Sequence, residues 1–216
     1  MTFEIPFCIV VSVLVTLLAL NFFNGTPATI SRIDGLILIL LFFGYMYYSF
    51  VRDKKNAQQA PVEANEPILS LWKSILKVVG GLALLIVSCD FFVDSAVSIA
   101  KSWGVSDAII SLTLIACGTS LPELAASVVA AFKKNTQLAL GNIVGSNIFN
   151  ILLILGLSSQ VMPLTSAGIT VVDYGVMIGA AIVPLLFGFN KKIGRVGGAL
   201  MVIAFAVYTW YLIAGV

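Results

Sequence analysis

The residues with the most chemistry to offer lie inside an apolar stretch. Ala116-Cys117-Gly118-Thr119-Ser120-Leu121-Pro122-Glu123 sets one carboxylate and two hydroxyls beside a proline. Glu123 is ten residues before Lys133, about 15 Å of helix at the usual rise per residue. That places it near the midplane of a bilayer, where a charged side chain costs on the order of 2.5–3.5 kcal/mol on insertion scales. Compensation must come from neighbours. Thr119 and Ser120 fall four and three residues before Glu123, on one face of a continuous helix. Pro122 has no N–H to give the Gly118 carbonyl, and Gly118 loosens the same turn. Every potential ligand here is an oxygen. Hard cations such as Ca²⁺ prefer that set, whereas transition metals select His or Cys. The alternative is a proline kink whose hydroxyls bond back to the helix, with a protonated Glu123 bonded to a neighbour.

A second polar cluster follows in Gly141-Asn142-Ile143-Val144-Gly145-Ser146-Asn147-Ile148-Phe149-Asn150. Ser146 and Asn150 are spaced i, i+4 and share a face. The connection from Lys133 to Thr136 is short, which predicts antiparallel neighbours with Ser146 and Asn150 at the depth of Glu123. They are expected either to face the carboxylate or to act as interhelical hydrogen-bond glue. Gly141 and Gly145 make a small-xxx-small pair suited to close helix packing.

These motifs need elements to carry them, and the composition says which. Of 216 residues, 60% are hydrophobic and 10% charged, with a mean hydropathy of +1.07. That leaves too little polar surface for a soluble globule and predicts an all-α, polytopic integral membrane protein. It excludes a soluble enzyme. The net charge of +2 is too small to suggest nucleic acid. The chain has no His, which removes His-ligated zinc and His-based catalysis. Cys8, Cys89 and Cys117 all lie in apolar stretches, against a disulfide framework.

Hydropathy predicts seven transmembrane helices, at about 5–23, 35–51, 71–100, 106–132, 137–159, 171–189 and 196–214. The third is over-long and is expected to tilt, with Asp90 and Asp94 toward an interface. Residues 52–70 form the one polar linker and should be flexible. Ten Lys and Arg fall on the side of Met1 and this linker, and two on the other. The positive-inside rule then puts Met1 and 52–70 in the cytoplasm of a cell-membrane protein and Val216 outside.

Residues 30–48 (ISRIDGLILILLFFGYMYY) align with 193–211 (IGRVGGALMVIAFAVYTWY). The Arg-Ile-Asp-Gly and Arg-Val-Gly-Gly starts match, as do Tyr45 with Tyr208 and Tyr48 with Tyr211. Each segment also follows an apolar helix that opens near an acid, Glu4 or Asp173. The two pairs lie five spans apart, an odd number, so they cross the membrane in opposite senses. That is the pattern of an inverted repeat in a secondary transporter. A five-helix unit then covers 71–216, and 1–51 holds the last two helices of an earlier unit whose first three are expected elsewhere.

GTSLPE followed by GNIVGSNIFN resembles the second alpha repeat of the calcium/cation antiporter superfamily, closest to its prokaryotic sodium/calcium exchanger branch. The resemblance spans essentially the whole chain and implies helices four to ten of a ten-helix inverted-repeat fold, with the motif at 116–150. It implies an antiporter that exchanges Ca²⁺ for Na⁺ by alternating access, with no cofactor. By resemblance Glu123 is the main cation ligand, joined by Thr119, Ser120 and the Ala116 carbonyl, then by Ser146 and Asn150. Relatives carry Asp or Asn at the last position. A Ca²⁺ site takes six to eight oxygens, so a second Glu from the first repeat is expected from the same or another chain. Two rival readings remain. One is a cation/proton exchanger in which Glu123 protonates; the other is a non-transporting ion-binding or channel subunit. A seven-helix retinal protein would need a Lys in 196–214, and none is there.

Overall fold

A computed structural model describes residues 3–20, 29–59, 70–165, 169–188 and 194–215. Its helices are α1 (Glu4–Ala19), α2 (Arg32–Gln59), α3 (Leu71–Ser102), α4 (Asp107–Gly118), α5 (Leu121–Phe132), α6 (Thr136–Val161), α7 (Val171–Gly188) and α8 (Arg195–Ala214). Two-residue strands β1 (Thr29–Ile30) and β2 (Leu164–Thr165) pair antiparallel. Four helices (α2, α3, α6 and α8) are long and apolar enough to cross a membrane, and α4 with α5 makes a fifth, bent span. The shorter α1 and α7 are apolar as well. The expected all-helical membrane architecture is what the chain forms.

One boundary differs from expectation. Helix α2 does not end near residue 51 but continues through Gln59, across the first part of the polar linker. Nothing between Arg52 and Gln59 breaks a helix, and the first proline is Pro61. Arg52 also reaches Glu4 at the start of α1 in a 2.7 Å ion pair. The linker's remainder, 60–69, lies outside the described residues.

The chain divides into two compact units, Met1–Val62 with Asn135–Ile193, and Glu63–Lys134 with Gly194–Val216. The first unit therefore draws on both sides of the 52–70 linker, and the second only on the chain after Val62. In the first, α1 buries Ile5, Cys8, Val11, Ser12, Val15 and Ala19, the i, i+3, i+4 stripe of a packed helix. The hydroxyls in that face are satisfied within α1: Ser12 donates to the Cys8 carbonyl at 2.9 Å and Thr16 to that of Ser12 at 2.8 Å. Leu38 and Phe42 of α2, Ile148 and Leu152 of α6 and Tyr174 of α7 complete this core.

Helix α2 crosses the end of α6 at a pair of glycines. A Cβ on Gly35 would collide with the Ser159 hydroxyl and come within 2.8 Å of the Gly156 carbonyl. A Cβ on Gly156 would sit 2.9 Å from the Ile39 side chain. The Gln160 side chain donates to the Arg32 carbonyl at 2.7 Å and closes the same seam.

The second unit holds α3, α4, α5 and α8. Helix α3 has no buried residue along its 32 positions. It ends as a helix should: Gly104 takes φ 78°, Gly104 N–H donates to the Lys101 carbonyl and Val105 N–H to that of Ala100. That is the left-handed cap which glycine makes without strain.

Candidate cation site

The predicted fourth span is not one helix. Ser111–Ile115 is wound as a π-helix, and α4 stops at Gly118. Thr119 and Ser120 form a two-residue break, and α5 starts at Leu121 with its axis bent by 43°. The break follows from local chemistry. Pro122 falls in the first turn of α5, where a missing N–H costs nothing. Gly118 sits against α3: a Cβ there would come within 2.6 Å of Val93 Cγ2. The expected proline kink is present, but Gly118 serves close packing as well as a loosened turn.

The break corrects the argument that set Thr119 and Ser120 on one helical face with Glu123. They share no helix with it. Instead Glu123 stands in the first turn of α5, half-buried, at the end where the helix dipole favours a negative charge. Thr119 donates its hydroxyl proton to the Ala116 carbonyl at 2.9 Å. Its backbone N–H goes to the Ile115 carbonyl at 3.2 Å and that of Ser120 to Cys117 at 3.0 Å. With its proton held by the backbone, the Thr119 oxygen keeps its lone pairs for a cation. The Ser120 side chain makes no cap bond to α5, so its hydroxyl too can turn toward an ion. Ala116, Thr119, Ser120 and Glu123 are thus brought to one break in the second unit.

Ser146 and Asn150 belong to α6 in the first unit. Asn135 caps that helix by accepting from Leu138 N–H at 3.0 Å. Ser146 donates to the Ile143 carbonyl at 3.0 Å, the same arrangement as at Thr119, with lone pairs left open. Asn150 is exposed and is the first residue of a second π-helical turn, Asn150–Ile154. π-Turns of this kind collect at functional sites, and neither was foreseen. Thr113, whose hydroxyl donates to the Ile109 carbonyl at 2.6 Å, marks the first, but a Thr in a helix is too common to have announced it.

Among the described residues, the glycines of the second motif make no close helix approach. A Cβ on Gly141 or Gly145 would meet nothing within 4 Å. The close approaches lie at Gly35, Gly156 and Gly118 instead. Among the described residues no group of three or more His, Cys, Asp or Glu could hold a metal ion.

The family model described as sodium/calcium exchanger protein matches residues 73–214. The putative antiporter CaxA of Alkalimonas amylolytica is 37% identical over 209 residues, which cover 93% of this chain and 65% of that protein. The sodium/calcium exchanger MaX1 of Methanosarcina acetivorans is 42% identical over 112 residues, 51% of this chain and 32% of the relative. A solved structure of the sodium-calcium exchanger NCX_Mj, soaked with zero Na⁺ and Ca²⁺, aligns with a TM-score of 0.68 at 33% identity. That alignment covers 95% of this chain and 66% of the other. The chain spans less than two thirds of the length of the relatives it matches.

Proposed function

Because the chain belongs to the sodium/calcium exchanger protein family, we propose that it forms the second-repeat part of a membrane antiporter exchanging Ca²⁺ for Na⁺. Residues 71–216 form the repeat, 1–51 the last two helices of the one before it, and 52–70 a cytoplasmic linker. The observation that carries this reading is the α4–α5 break, which gathers a carboxylate, two hydroxyls and a carbonyl within an apolar span. On this reading Glu123, Thr119, Ser120 and Ala116 are ligands of the ion, as are Ser146 and Asn150.

Na⁺ and Ca²⁺ compete for these oxygens, so loading one expels the other. A site without its cation leaves a charged carboxylate in the membrane, where a charge costs on the order of 2.5–3.5 kcal/mol, and that disfavours switching access without cargo. One carboxylate and one amide are too few for Ca²⁺, which takes six to eight oxygens. A first repeat, in the same or another chain, supplies the second carboxylate. The ten-to-two bias of Lys and Arg orients the protein in the cell membrane with Met1 and 52–70 in the cytoplasm.

The test is Ca²⁺ uptake into membrane vesicles from the native cells, with Glu123→Gln introduced at the chromosomal locus. Uptake should follow an imposed Na⁺ gradient and disappear in the variant at equal protein level. Uptake driven only by a proton gradient would replace this reading with cation/proton exchange. Current without any counter-ion would replace it with a channel.

A further inference from the structure

Helix α2 keeps two distinct faces along its length, including the turns that leave the apolar stretch. Its inward stripe is Gly35, Leu38, Phe42, Tyr45, Ser49 and Arg52, spaced by alternating threes and fours. Leu38 is 0% and Phe42 8% exposed, and Arg52 ends the stripe in its 2.7 Å ion pair with Glu4 of α1. The outward stripe has the same rhythm: Leu36, Leu40, Phe43, Tyr47, Phe50 and then Lys54. Here Leu40 is 63%, Tyr47 74% and Phe50 69% exposed. The inward stripe thus ends in a cation that α1 neutralises. The outward stripe ends in a free one: among the described residues neither Lys54 nor the exposed Lys55 pairs with a carboxylate. Asp53, the one acid on this turn, lies about 100° round the helix from Lys54.

The lysines are also held in place. Helix α2 runs unbroken to Gln59, so Lys54 stands two turns, about 10 Å, beyond Tyr47, and Lys55 the same distance beyond Tyr48. Phe3 packs on Tyr48 with ring centroids 4.4 Å apart, and Phe7 of α1 stacks on Tyr45 at 4.9 Å. With the Arg52–Glu4 pair, these contacts pin the emerging turns of α2 against α1. We propose that the Tyr47–Lys55 end of α2 binds an anionic phospholipid in the leaflet on the linker's side. The acyl chains run along Leu40, Phe43 and Phe50, and Tyr47 sits at headgroup level. Lys54 and Lys55 hold the phosphate and the headgroup's net negative charge. Aromatic residues followed by lysine are the order in which a lipid-facing helix leaves a bilayer. Two unpaired lysines favour an anionic headgroup over a zwitterionic one, whose own cation they repel. The inference goes beyond the exchange reading and needs only that α2 spans the membrane.

The test places the photocrosslinker p-benzoylphenylalanine at Phe50, where it keeps an exposed aromatic ring. The whole protein, purified from its native membrane, is reconstituted in vesicles of equal parts phosphatidylglycerol and phosphatidylcholine with matched chains. Ultraviolet light followed by mass spectrometry counts the adducts with each lipid. Phosphatidylglycerol adducts should exceed the others about fivefold, the order of one lysine's attraction to an anionic surface. Lys54→Gln with Lys55→Gln should bring the ratio to about one. Lys133→Gln with Lys134→Gln removes as much charge elsewhere and should leave the ratio unchanged. Glu4→Ala separates position from charge. It makes the protein more positive, so attraction alone predicts a higher ratio, whereas loss of the pin predicts a lower one. A parent ratio near one, equal losses in the two double variants, or a Glu4→Ala ratio at or above the parent's would each overturn the proposal. So would adducts to protein in place of lipid. The adducts are read without ion flux. Lipid selectivity in a protein that moves no Ca²⁺ would therefore refute the exchange reading and leave this site standing.

Discussion

The two compact units of this chain are built to different standards of packing. In the first, α1, α2, α6 and α7 bury a continuous core that includes Val11, Leu38, Ile148 and Leu152. In the second, the only buried positions among the described residues are Ile110, Ser127, Ala130 and Gly197. The second unit nevertheless holds α3, the longest helix. A membrane helix satisfies its backbone internally and needs no packed face to exist, so burial here reports helix assembly and not helix formation. The carboxylate lies in the unit with little core, beside a break and a π-turn. Sparse packing is the state expected of segments that rearrange.

Substitutions can sharpen or break this contrast. The largest stability loss is expected from Gly35→Ala, whose methyl has no room at the α2–α6 crossing. Overpacking of this kind should cost about 3 kcal/mol, read as thermal stability in detergent. Gly118→Ala, in the sparse unit, presses on a valine methyl that can give way. It should cost about 1 kcal/mol, yet depress Na⁺-driven Ca²⁺ uptake severalfold, because it displaces the break that carries Glu123. Equal losses of stability at the two sites would erase the distinction between the units. Arg52→Ala removes a partly exposed ion pair with Glu4 and should cost less than about 1 kcal/mol. The smallest effect is a gain. Gly141→Ala adds a methyl to open space and should stabilise α6 by about 0.5–1 kcal/mol. A loss there would mean that something packs on Gly141.

Much of this was legible in the chain. Among the described residues each of the seven apolar segments carries helix, the fourth interrupted at Thr119–Ser120, since apolar runs of span length have few other ways to satisfy their backbone. Pro122 and Gly118 announced the α4–α5 break. The matching starts of α2 and α8 were visible as text. Three things were hidden for physical reasons. The π-turns at Ser111–Ile115 and Asn150–Ile154 change the winding by one residue without a distinctive side chain. The extension of α2 to Gln59 is a polar helix, and hydropathy ends where polarity begins. Glycine spacing pointed to Gly141 and Gly145, but spacing cannot tell which side of a helix has a neighbour.

On the proposed reading, Na⁺ and Ca²⁺ share the oxygens around Glu123. Equilibrium binding of radiolabelled Ca²⁺ to native membranes, titrated with Na⁺, tests it without requiring transport. Na⁺ should raise the apparent Kd for Ca²⁺ and leave the number of sites unchanged, and Glu123→Gln should abolish the Na⁺-sensitive sites. Na⁺-sensitive Ca²⁺ binding that survives Glu123→Gln at the wild-type affinity would contradict the account.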